Sequence, residues 1–169
     1  DAVVAENPKA EQAAEAAYAS VLCYQKMYDQ MYKGDADRKG RDELALKGAG
    51  EKEATAKKGQ WDTFKPKEMT TQQKGMVQAF NRYICYIKPT KGDKESEEQY
   101  VEVKYARART YFESQHWEEA AIGFRDIALN NSDRDVGIYA SQLYLESVNV
   151  LGSHFSKTAC FDDMEQDVP

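Results

Sequence analysis

The chain has 169 residues, 41% of them apolar and 31% charged, with a formal net charge of −6. That length suffices for one domain with a real core, and the composition is that of a folded, soluble chain with a wet surface rather than a disordered one. The acidic balance disfavours nucleic-acid binding, which needs a dominant Lys/Arg field, and no apolar run approaches the roughly 18 residues of a membrane-spanning helix. The opening Asp1-Ala2-Val3-Val4 carries neither an initiator Met nor a charged-then-apolar leader, as expected of a processed or cut chain.

In chain order, Asn7-Pro8 suits a helix start, since Asn caps well and Pro loses no bond at the first helical position. Ala14, Ala17, Val21, Tyr24, Tyr28 and Met31 then recur at spacings of three and four, predicting an N-terminal helix within residues 1–32 with a tyrosine-lined apolar face. Residues 33–69 form a charged, Gly-punctuated insertion, almost without large apolar side chains until Trp61 and Phe64. A short helix is expected there near 41–47.

Thr70-Thr71-Gln72-Gln73 reads as a capping box opening a helix to about Ile87, with Met76, Phe80, Tyr83, Ile84 and Ile87 as its buried stripe and Pro89 just past its end. Ser96-Glu97-Glu98-Gln99 repeats the capping pattern and predicts a helix to about Ser114. The next helix is expected from Trp117 to about Asn130, buried through Ala120, Ala121, Phe124, Ile127 and Ala128. A last one covers 136–151 and is stopped by Gly152. Residues 153–169 read as an acidic tail or a truncated next repeat.

Within 105–132, Ala108 stands where two helices must approach closely and Tyr111 supplies a large first-helix anchor. Trp117-Glu118-Glu119-Ala120 opens the second helix, followed by Phe124 and Ile127-Ala128. This hairpin resembles a tetratricopeptide repeat, and a weaker likeness extends over 72–151, loosely similar to bacterial outer-membrane assembly lipoproteins of that type. It departs from the family pattern at Arg107, usually apolar, at Gln115, usually Gly, and at Ser132, often Pro. The resemblance implies an all-α fold in which antiparallel helical hairpins over 70–152 stack as a short right-handed solenoid, with the polar insertion following the first helix.

The resemblance further implies a protein–protein interaction scaffold in which first helices line a concave face and read a partner protein or peptide. On that face it places Glu102, Tyr105, Arg109, Phe112 and Glu113, then Gln142, Glu146 and Asn149, with Arg109 suited to a bidentate carboxylate contact. Any one of these also fits a solvated helix face with ordinary i,i+4 pairing. The eleven tyrosines suit either an interface or packing between repeats. The bacterial periplasm or cell envelope is implied by the resemblance alone. A self-associating module that stacks through its repeat ends is the alternative, so a homo-oligomer stays open.

No chemistry is expected. Asp35-x-Asp37-x-Lys39-Gly40 starts like a calcium loop, but Lys39 and Leu46 stand where oxygen ligands belong. His116 and His154 have no companion metal ligands, and neither a nucleophile–base pair nor a phosphate loop is present, so no catalytic residue, metal or cofactor is assigned. Cys23, Cys85 and Cys160 form no C-x-x-C pair. The first two read as small buried hydrophobes, and their disulfide state is open.

Overall fold

The structure is a computed structural model and describes residues 6–7, 12–31, 64–155 and 157, the side chains of 28–31 excepted. Among the described residues the chain is all-α, with five helices and no strand: α1 (Ala13–Met31), α2 (Thr71–Tyr86), α3 (Lys94–Glu113), α4 (Trp117–Asn130) and α5 (Asp135–Phe155). Two compact units are distinguished. Asp1–Met31 with Glu68–Thr110 form the first, and Tyr32–Lys67 with Tyr111–Pro169 the second.

In the first unit, α2 opens on a capping box. The Thr70 hydroxyl accepts from the Gln73 amide at 3.2 Å, and the Gln73 side chain accepts from the Thr70 amide at 2.9 Å, satisfying two donors that a helix start otherwise leaves unpaired. Its stripe of Met76, Ala79, Phe80, Tyr83 and Ile87 packs with Ala17 and Val21 of α1 and Val103 of α3 in one buried cluster. Hydrogen bonds tie α2 to α3. Arg107 Nη1 donates to Asn81 Oδ1 at 3.0 Å, Tyr83 Oη to Gln99 Oε1 at 2.9 Å, and Tyr100 Oη to the Ile84 carbonyl at 3.2 Å. From Asn81 to Tyr83 and Ile84 on α2 the partner moves back from Arg107 to Gln99 and Tyr100 on α3, so the two helices run antiparallel. Arg107, polar where an apolar residue was the pattern, is used as an interhelical donor.

In the second unit α4 packs on α5. Trp117, Ala120, Ala121, Gly123, Phe124 and Ile127 are buried on α4, and Gly137, Ala140, Leu143, Tyr144, Ser147, Val148 and Leu151 on α5. The small residues in both sets allow close axial approach. Lys157 pairs with Glu118, so the end of α5 meets the start of α4 and the hairpin is antiparallel. The hairpin turn is closed by Asn131, whose buried amide donates to the Ile127 carbonyl at 2.9 Å.

Several local expectations are corrected. On α1 it is Ala13, not Ala14, that shares the buried stripe with Ala17 and Val21, because the helix face runs at steps of four there. Cys23 and Cys85 are exposed free thiols, each two residues off its helix's buried stripe. The start of α3 is at Lys94 rather than at Ser96. The Asp93 carbonyl accepts the first helical bond from Glu97, and Ser96 instead accepts from the Thr90 amide at 3.0 Å.

Nor does Gly152 stop α5. It is buried inside the helix, which continues to Phe155. The helix expected near 41–47, the Asp35–Gly40 pattern, Trp61, Cys160 and the acidic tail lie outside the described residues.

Candidate functional site

The turn between α3 and α4 fixes the geometry of the second unit. The Gln115 amide donates to the Phe112 carbonyl and the His116 amide to the Tyr111 carbonyl, each at 2.9 Å, the paired bonds of a Schellman helix end. Such an end requires a left-handed residue, and Gln115 supplies it with φ 60° at the position where the repeat pattern has Gly.

Onto this turn lies a segment of the expected insertion. The Lys67 amide donates to the Ser114 carbonyl at 2.9 Å, and His116 Nε2 stands 3.0 Å from the Lys67 carbonyl. A carbonyl only accepts, so Nε2 carries the proton, and Nδ1 faces Glu119 Oε1 at 3.9 Å. Trp117 Nε1 donates to the Phe64 carbonyl at 2.7 Å. The Phe64 ring stacks on His154 with centroids 4.1 Å apart and tilts against Trp117 at 6.4 Å. Residues 64–67, assigned by composition to the insertion, are thus anchored to α4 and α5. The return of large apolar residues at Trp61 and Phe64, followed by Pro66, was the only sign of it in the sequence.

The residues expected to read a partner fall into two groups. Glu102, Tyr105 and Arg109 belong to the first unit, and Phe112, Glu113, Gln142, Glu146 and Asn149 to the second. Glu102 is exposed, Tyr105 and Arg109 half-buried. Phe112 is half-buried with its ring edge-on to Trp117 at 5.1 Å and to Phe124 at 6.0 Å, so much of its surface is used in packing within the unit. Tyr105, Arg109, Glu113 and Glu146 each already have an interacting neighbour. Gln142 and Asn149 are exposed on α5, where Asn149 accepts from the Ser153 hydroxyl at 3.1 Å.

Two side chains that the sequence reading omitted lie beside Gln142. Ile138 and Tyr139, four and three residues earlier, are 54% and 45% exposed. With Gln142 and Asn149 they give α5 one continuous outward face, apolar at its start and polar further on. Their spacing from Gln142 was legible as a shared helix face. On α4, Ile122 and Leu129 are exposed, seven residues apart and so on one side of the helix.

Tyr83 is buried in the core of the first unit. Burial above all, then the neighbouring Tyr18 and Tyr100 phenols, push its pKa up. Nothing opposite it suggests chemistry, since its hydroxyl is spent on Gln99. Among the described residues no group of three or more His, Cys, Asp or Glu is placed to hold a metal ion, and no helix is long and apolar enough to cross a membrane.

What the described residues define is an all-helical protein with an outward mixed face on its last helix and a chain segment clamped at the opposite end of the last hairpin. Compared with protein-family models, with curated proteins and with solved structures, the chain matches none of them.

Proposed function

We propose that the chain is a non-catalytic, tetratricopeptide-like scaffold that binds a partner protein or peptide through its helices, within a larger bacterial envelope assembly. The observation that carries this reading is the outward face of α5, where Ile138 and Tyr139 stand exposed beside Gln142 and Asn149. Large apolar and aromatic side chains next to polar ones make up a typical recognition surface, with Tyr offering rigid area and one hydrogen-bond handle. The hairpin of α4 and α5 that this reading needs is supported by the burial of Ala120, Phe124 and Ile127 on α4, and the tight turn before it by the left-handed Gln115.

The test is capture of a partner from source lysate by the parent chain and by a variant carrying Ile138→Ser, Tyr139→Ser and Gln142→Ala. Helicity of both is checked by circular dichroism. A partner held by the parent and lost by the equally helical variant supports the reading, and one held by both refutes it.

A second reading, self-association, is favoured by Leu22 and Met27, which are exposed on α1. Sedimentation equilibrium distinguishes it, since a monomer at micromolar concentration leaves no role for that contact.

A further inference from the structure

The segment 64–67 is bound in the manner of a peptide ligand. Its contacts to the hairpin include main-chain atoms at two positions, the Phe64 carbonyl and both the amide and carbonyl of Lys67, together with the Phe64 ring. The side chains of Lys65, Pro66 and Lys67 are exposed. Pro66 falls where no amide is bonded to the hairpin, and its fixed φ lowers the cost of ordering the residues around it. The receiving surface is formed by Ser114, His116 and Trp117 at the left-handed turn and by His154 on α5. Recognition of an extended segment by backbone bonds plus one aromatic anchor is a recurrent mode of peptide binding.

We propose that this turn is a peptide-binding site for an aromatic-x-Pro-x segment of a partner protein, filled in cis by the chain's own residues 64–67. Hydrogen bonds of this kind, each worth about 1 kcal/mol net, and one half-buried ring are set against about 1–2 kcal/mol per residue for ordering the strap, terms of similar size that make it replaceable. Tethering gives the strap a high effective concentration, so a partner segment competes at the same contacts and enters when the strap is displaced. The site is distinct from the outward face of α5, and its test does not depend on that face binding anything.

The experiment uses the full chain carrying Trp61→Phe, so that indole fluorescence reports Trp117, the other of the two tryptophans. The probe is a synthetic peptide copying residues 62–69. With Phe64→Ala added, the chain is expected to bind the peptide saturably at submillimolar concentration. The chain with Phe64 intact needs at least tenfold more, and a peptide with its Phe replaced by Ala does not bind. Absence of saturable binding to a Phe64→Ala chain of parental helicity overturns the proposal, as does equal affinity with and without Phe64. Should Phe64→Ala lose helicity, Pro66→Gly loosens the strap without touching the site. Tighter peptide binding than by the parent then supports the proposal and unchanged binding overturns it. A parent chain that sediments as a dimer, dissociated by Phe64→Ala, overturns it in favour of segment exchange between copies.

Discussion

Trp117 and Phe64, far apart in sequence, are joined by a 2.7 Å hydrogen bond from the indole Nε1 to the carbonyl oxygen, while their rings meet at 6.4 Å. The indole is buried at the start of α4, so its N–H needs a protein acceptor, and the strap provides one. Trp117→Phe keeps most of the ring and removes the donor. It is expected to cost about 1–2 kcal/mol, the range for a lost bond that leaves a partner unsatisfied. Tryptic cleavage after Lys67 should accelerate in parallel, because both main-chain groups of Lys67 are bonded in the folded strap. Urea unfolding and timed digestion check the two effects.

At the turn beside it, Gln115 occupies the left-handed region at φ 60°. A side chain there costs roughly 1 kcal/mol relative to Gly. Gln115→Gly is therefore expected to stabilise the chain by a fraction of a kcal/mol to about 1 kcal/mol, visible as a higher urea midpoint with an unchanged slope. A lower midpoint would show that the glutamine side chain contributes more than its backbone strain costs.

Two glycines should respond differently to Ala. A Cβ at Gly137 would fall 1.9 Å from the Asn131 carbonyl oxygen, main chain that is held by the hairpin turn. Gly137→Ala should cost about 2–3 kcal/mol, as overpacking against a fixed neighbour does. At Gly75 the nearest atom is in the Tyr24 ring, at 2.5 Å, and a half-buried ring can swing aside. There the better helix propensity of Ala offsets part of the clash, and a change below about 1 kcal/mol is expected. Thermal melts of the two variants give the comparison.

Tyr83 makes stability sensitive to alkali. Its folded pKa is raised above the ordinary tyrosine value, so between the two values the folded state holds a proton that the unfolded state has released. The contribution is fully present below about pH 10, the ordinary value, and is lost as pH rises through the higher folded one. Stability should fall with pH across that window, and Tyr83→Phe should flatten the decline while losing the bond to Gln99. Denaturation series from pH 8 upward supply the measurement.

Elements whose signals are local were legible in the sequence. The capping box at Thr70 and Gln73, the stripe of Met76, Phe80 and Tyr83, and the helix starting at Trp117 depend on spacing and cap chemistry over a few residues. The start of α3 was misplaced because Ser96 and Glu97 carry a capping pattern while the turn containing Gly92, with φ 89°, closes two residues earlier. Gly152 was read by its backbone freedom alone, and its buried place in α5 is set by packing. The strap could not be read in advance, since it rests on contacts between residues far apart in the chain and on backbone atoms that sequence pattern does not mark. Of the expected partner-reading positions, Gln142 and Asn149 are exposed, whereas Phe112 is engaged in packing. Periodicity alone does not separate a helix's outward face from its flanks.

The central claim is that the outward face of α5 binds a protein partner. It is tested most directly by placing a photo-reactive benzoylphenylalanine at position 139 and, as a control, at the exposed position of Glu95, then irradiating each chain in source lysate. The account predicts one discrete protein adduct from position 139 that is absent from position 95 and is lost when Ile138→Ser and Gln142→Ala are added. No discrete adduct from position 139, or the same adduct from both positions, would contradict it.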